Sequence, residues 1–83
     1  MVDKSIEQTV KGFIMKEFLP GENPDELTES TPLITGGILD SLATLKLVAF
    51  IEDQYAITLQ AHEADAENLN TLTDIGNLVR SKA

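Results

Sequence analysis

Cysteine and tryptophan are absent from this 83-residue chain, and aromatic residues make up only 5% of it. Without cysteine there can be no disulfide, no thiolate metal site and no cysteine nucleophile. The one histidine, His62, has Glu63, Asp65 and Glu67 nearby but no second imidazole or thiolate to complete a zinc site, so no metal is expected. No apolar run approaches the ~18 residues that would span a bilayer. The start, Met1-Val2-Asp3-Lys4-Ser5, lacks the basic and then apolar make-up of a signal peptide. A cytoplasmic protein without a membrane segment is expected. Basic residues are scarce too. Six stand against fourteen acids, and between Glu17 and Asp74 twelve acids face a single base, Lys46. Such a surface repels phosphate backbones, which argues against a nucleic-acid partner. It keeps a small protein soluble, and it would also speed encounter with basic patches on partner proteins.

What is present suffices for one small core. Apolar residues are 42% of the chain, and the length is that of a single domain, residues 1–83. A domain this small buries only about 60–65% of its unfolded surface, leaving little core from which to carve a deep catalytic pocket. A module that offers its surface to other proteins is the expectation.

Helical periodicity occurs three times. Ile6, Val10, Phe13, Ile14 and Phe18 share one face of a helix starting at Asp3 or Ser5 and ending at Phe18. Ser5 with Gln8 fits a capping box, and Pro20-Gly21 stops the helix. A long connection follows to Leu39, with Pro24, Pro32, Gly36 and Gly37. Its apolar residues Leu27, Leu33, Ile34, Ile38 and Leu39 can anchor it over the core, and a helical turn is expected around Pro24–Thr28. A second helix starts at Asp40 or Ser41, both favoured cap residues, and reaches Gln54. Its apolar stripe is broader than one core-facing side needs. Leu47, Ile51 and Tyr55 are assigned to the core. Ile57-Thr58-Leu59 reads as briefly extended, and His62–Glu67 as a short turn. A last helix begins near Thr71, where Thr71 and Asp74 make another capping-box pattern, with Leu72, Ile75, Leu78 and Val79 as its apolar face. Three main helices and a minor one, with no sheet, define an all-α four-helix bundle.

The informative run is Gly36-Gly37-Ile38-Leu39-Asp40-Ser41-Leu42. It brings a serine hydroxyl to an exposed corner at the positive end of a helix, where a phosphate ester would meet free backbone N–H groups. From the residues alone, Asp40 or Ser41 is a helix cap first, and Asp-Ser-Leu is a weak tripeptide. Other chemistries lack their parts. Asp65–Asp74 lacks the glycine and terminal glutamate of an EF-hand, Gly36-Gly37 is not followed by Gly-Lys-Thr of a P-loop, and no triad spacing joins His62 to Ser41 as a general base.

The whole chain resembles the stand-alone acyl carrier and peptidyl (aminoacyl) carrier proteins. The likeness covers the first helix, the long loop, Asp40-Ser41-Leu42 at the head of the second helix, and the short third and final helices. It implies the acyl-carrier type of four-helix bundle and a protein with no catalysis of its own. It implies 4'-phosphopantetheine on Ser41, transferred from coenzyme A by a phosphopantetheinyl transferase, with Asp40 part of the recognition signature. An acyl or aminoacyl group would be held there as a thioester, supplied by an adenylating or acyl-transferring loading enzyme and presented to downstream biosynthetic enzymes. Leu42, Leu45 and Ala49 would be the partner face; core packing is the competing reading for Leu45. The carrier would be a monomer. Lys46 inside the second helix, with Glu52 and Asp53 only at its far end, departs from the strongly acidic second helix of fatty-acid carriers. That departure argues against a fatty-acid synthase role, and the Gly37-Ile38-Leu39-Asp40-Ser41-Leu42 run with Glu67-Asn68-Leu69-Asn70-Thr71 resembles carriers of a specialised aminoacyl, peptidyl or polyketide-like pathway. The alternative is an unmodified helical-bundle scaffold module.

Overall fold

The computed structural model describes residues 4–82. Four helices are formed: α1, Ser5–Phe18; α2, Ser41–Tyr55; α3, Ala66–Leu69; and α4, Leu72–Lys82. Short 3-10 turns lie at Pro24–Glu26 and Ala61–Glu63, and no strand occurs among the described residues. The chain is therefore an all-α bundle with three longer helices and one short one. Helix α4 packs against α1 and α3, and α1 against α2.

The apolar periodicities become the core. Val10 and Ile14 of α1, Leu47 and Ile51 of α2, Leu69 of α3, and Leu72, Ile75, Leu78 and Val79 of α4 are all buried. Tyr55 is half-buried and packs at the margin of this core. Phe13 stacks on Phe50 of α2 with ring centroids 4.1 Å apart, and Phe18 meets Phe13 edge-on at 5.8 Å. The T-shaped pair within α1 is an arrangement that the ring quadrupole favours, and the Phe13–Phe50 stack joins α1 to α2.

One buried residue of α1 is charged. Glu7 is wholly buried, and its carboxylate accepts two hydrogen bonds from Arg80 of α4, from Nη1 at 3.2 Å and Nη2 at 2.5 Å. A buried carboxylate without such a partner would cost several kcal/mol, on the order of the effective penalty per ion. Gly76 makes room for the pair: a Cβ there would overlap the Glu7 carboxylate.

The start of α1 differs from the expected capping box. Lys4 holds the cap position and makes no side-chain cap bond; its ammonium pairs with Glu29 at 3.2 Å instead. Ser5 is already the first helical residue. The expected start at Asp3 lies outside the described residues. At the other end, Pro20-Gly21 forms a turn in which the Glu22 N–H donates to the Leu19 carbonyl at 3.1 Å. Gly21 has φ of 85°, the left-handed geometry that the third position of a type II turn demands. Helix α2 ends on Ala56 in the left-handed region, φ 53° and ψ 45°. The segment after it finds no strand partner; the Leu59 N–H instead donates to the Glu52 side chain at 2.8 Å. The short turn expected over His62–Glu67 divides into the 3-10 turn and α3, because Asp65 caps α3 by accepting from the Asn68 N–H at 3.2 Å.

The connection between α1 and α2 is laid over the bundle in pieces. Leu27, Leu33 and Leu39 are buried as its anchors, with Ile34 and Ile38 packed beside them. Thr28 and Thr31 close a small turn through Thr28 N–H to Thr31 Oγ1 at 2.9 Å. The Thr73 N–H then donates to the Glu29 carbonyl at 3.2 Å, tying the loop to α4.

Candidate functional site around Ser41

The segment Leu33–Leu39 closes on itself. The Leu39 N–H donates to the Leu33 carbonyl at 2.8 Å and the Gly37 N–H to the Ile34 carbonyl at 3.2 Å. Each of its glycines has a separate reason. Gly37 has φ of 85°, a conformation costly for a residue with a Cβ. A Cβ on Gly36 would run into the Pro32 carbonyl. The chain leaves this loop directly into Asp40.

Asp40 caps α2. Its Oδ1 accepts from the Ala43 N–H at 2.7 Å, and its carbonyl accepts from the Thr44 N–H at 2.9 Å and the Thr44 hydroxyl at 2.8 Å. The cap takes one of the first-turn amides; those before it have no acceptor within the helix. Ser41 is exposed as the first residue of the helix. Its hydroxyl thus stands at the positive end of a 15-residue helix, where negative charge is favoured by about 0.3–1 kcal/mol at an exposed position.

An open cleft of about 560 Å³ runs beside Ser41, walled by Ile34 and Leu39 of the loop, by Thr44 and Leu45 of α2, and by Ala64 to Ala66. Its breadth and its open side suit an extended arm more than an enclosed small molecule. A smaller apolar hollow of about 170 Å³, lined by Met15, Leu19, Leu27 and Ile38, does not include Ser41.

Past Ser41, the exposed face of α2 carries two leucines a turn apart. Leu42 is 63% exposed and Leu45 67%, and Ala49 on the following turn is exposed too. The core reading for Leu45 is excluded by that exposure. Each leucine forgoes much of the ~1.5–3 kcal/mol that full burial would give. Lys46 and Asp53 are also exposed on α2, and Glu52 is half-buried, held by Leu59.

Asn70 lies in the Glu67–Thr71 run, but no sequence signal assigns it a role at this site. It follows α3, and its side-chain oxygen accepts from the backbone N–H of Ile34 at 2.9 Å and of Thr35 at 3.0 Å. Its carbonyl accepts from the Leu33 N–H at 2.6 Å. Nothing in local periodicity marks such a residue, since its partners lie 35 and 36 positions away.

Among the described residues, no group of three or more His, Asp or Glu side chains is placed to hold a metal ion. No helix of the described residues is long and apolar enough to cross a membrane.

A small helical bundle with an exposed serine heading its second helix, behind a glycine loop, is the architecture of a carrier domain. The chain is 30% identical to the acyl carrier protein of Chlamydia muridarum over 78 residues, covering 94% of this chain and 96% of that one. It belongs to the acyl carrier protein family. A chain from a crystal structure described as that of an FAD-dependent dehydrogenase superposes with a TM-score of 0.76 at 34% identity, over 84% of this chain and 97% of that chain. No protein-family model matches the sequence. The family's members are non-catalytic carriers that bear phosphopantetheine and are handled by modifying and biosynthetic enzymes, so this protein is a carrier and not an enzyme.

Proposed function

We propose that Ser41 is the attachment point of 4'-phosphopantetheine, and that the protein carries an acyl or aminoacyl group for a specialised pathway. The observation that carries the assignment is exposed Ser41 at the head of a capped helix, beside the first-turn backbone N–H groups and an open cleft. The site fits the group: the phosphodiester would lie against the first turn of α2, and the cleft would accommodate the arm. When bound, the group supplies a terminal thiol on which cargo is held as a thioester. Asp40 holds Ser41 in register by capping α2, and its carboxylate is part of what the transferase reads.

Leu42, Leu45 and Ala49 form the face that partners meet. The partners are a phosphopantetheinyl transferase, an adenylating or acyl-transferring loading enzyme, and the enzymes that follow, all in the cytoplasm, with the carrier itself monomeric. Exposed Lys46, with Glu52 and Asp53 only at the far end of α2, supports a specialised pathway over bulk fatty-acid synthesis, because the helix lacks the run of acids that basic partner enzymes would read. The likeness to a chain of nearly equal length from the FAD-dependent dehydrogenase crystal supports an oxidising flavoenzyme among the downstream partners.

Intact mass spectrometry after incubation with coenzyme A, Mg²⁺ and a promiscuous phosphopantetheinyl transferase tests the site. The wild type gains one phosphopantetheine, and Ser41→Ala gains none while keeping its helical circular dichroism. A gain in the Ala variant removes Ser41 from the role. A folded wild type that no transferase modifies favours the scaffold reading. For the oxidising partner, the loaded carrier incubated with that dehydrogenase loses two hydrogens from its cargo; an unchanged cargo mass across a panel of acyl and aminoacyl groups speaks against it.

A further inference from the structure

We propose that Asn70 is a positioning residue for the Ser41 site: its side-chain oxygen ties the Leu33–Leu39 loop to the α3–α4 junction and so sets where Ser41 stands relative to α3. This rests on Ser41 being the modified residue. The bonds form a continuous chain. Asn70 accepts from Ile34 and Thr35 through Oδ1 and from Leu33 through its carbonyl. The Asn70 amide also donates to Thr35 Oγ1 at 3.2 Å. Leu33 is tied to Leu39 by the bond that closes the loop, and Leu39 is followed by the Asp40 cap and Ser41. The clamp therefore joins the two walls of the cleft, with Ile34, Leu39 and Ser41 on one side and Ala64 to Ala66 on the other.

The clamp adds to the buried Leu33 and Leu39 anchors and to the two bonds that close the loop, because the stretch between those anchors holds two glycines. Gly36 and Gly37 are exposed, and their backbone freedom is large. Two N–H groups meeting one amide oxygen restrict the loop at the point just before the glycines. Without them, Ser41 samples positions that a docking enzyme does not accept. A partner that binds only the competent fraction then shows an apparent affinity lowered by that fraction.

The test is phosphopantetheine transfer from coenzyme A to wild type, Asn70→Ala and Asn70→Asp, with amide exchange measured on the same proteins. Asn70→Asp keeps an oxygen for both amides. The expected result for Asn70→Ala is a KM for the carrier raised on the order of tenfold, with kcat within about twofold, as a tenfold smaller competent fraction requires. Asn70→Asp restores the KM. In Asn70→Ala the Ile34 and Thr35 amides exchange on the order of tenfold faster while those of Leu47 and Ile51 do not change, which separates loosening of the loop from general destabilisation. Wild-type KM in Asn70→Ala, or an Asn70→Asp variant as impaired as the Ala variant, overturns the proposal. Should Asn70→Ala fail to fold, the wild type still decides it: Ile34 and Thr35 amides that exchange as fast as that of Gly36 show that no clamp exists. A folded wild type that is not modified at all overturns the Ser41 reading and this proposal with it. A modified wild type beside an indifferent Asn70→Ala overturns the clamp alone.

Discussion

At Asp40 one carboxylate caps α2 and is proposed to be read by the transferase as well, and two variants divide these roles. Replacing a capping Asp by Ala costs about 1 kcal/mol, a fall in Tm of about 4–8 °C for a domain of this size. Asp40→Ala is expected to show that fall in a thermal melt. Asparagine caps as well as aspartate does, so Asp40→Asn should melt near the wild type. If its phosphopantetheine transfer is nevertheless slowed, the transferase reads the charge; equal transfer rates leave Asp40 as a cap only. Ser41 needs no such separation. It is exposed and is the first residue of its helix, so its loss removes a hydroxyl and little packing.

On α2 the core face and the exposed face proposed for partners are different sides of one element. Ala43, Leu47 and Ile51 are buried, whereas Leu42 and Leu45 point into solvent. Leu45→Ala removes an exposed side chain in favour of a strong helix former, so stability should stay within about 0.5 kcal/mol. If Leu45 anchors a partner, its truncation costs about 1.4 kcal/mol of binding, which is tenfold in affinity. The expected outcome is an unchanged melt together with transfer or loading about tenfold less efficient at low carrier concentration. Unchanged kinetics in a folded variant would remove Leu45 from the docking face. The same helix ends on Ala56 in the left-handed region, where Glu52 organises the exit by receiving the Leu59 N–H.

Over the whole molecule, the first and last helices are joined by the Glu7–Arg80 pair, closing the bundle between residues 73 positions apart. The Arg80 guanidinium holds the Glu7 carboxyl below its ordinary value of 4.5, against the opposing push of burial. The unfolded chain therefore takes up a proton at Glu7 before the folded chain does as the pH falls. The stability from this pair is fully present above pH 4.5 and is lost as the pH drops through the folded value. Glu63 works in the same direction: its carboxyl is lowered by the Gln60 N–H and then by Lys82 of α4. Glu7→Gln should flatten the acid limb of a stability–pH profile measured by urea unfolding and lower the Tm at neutral pH. A profile as steep as that of the wild type would show that Glu7 does not govern it. The radius of gyration, 11.7 Å, is near the ~12 Å expected of a compact domain of this length, so the long loop is part of the body of the bundle.

The sequence by itself determined the three longer helices, their apolar faces and the candidate serine. Val10, Ile14, Leu47, Ile51, Ile75 and Val79 recur at helical spacing, and a periodicity of that kind has one economical solution, burial of the shared face. Asp-Ser at the head of such a run is a local signal for a cap, and Pro20-Gly21 is a local signal for a stop. The tertiary structure decided what depends on distant partners. Glu7 reads as a surface acid in a helical pattern, and only Arg80 from the other end of the chain, with Gly76 clearing the space, makes its burial tolerable. Leu45 belongs to the same apolar stripe as Leu47, and only the placement of the neighbouring helices left one exposed and the other buried. No sequence pattern assigns Asn70 its role, because a side-chain amide that serves backbone groups 35 residues away is specified by the fold that brings them together.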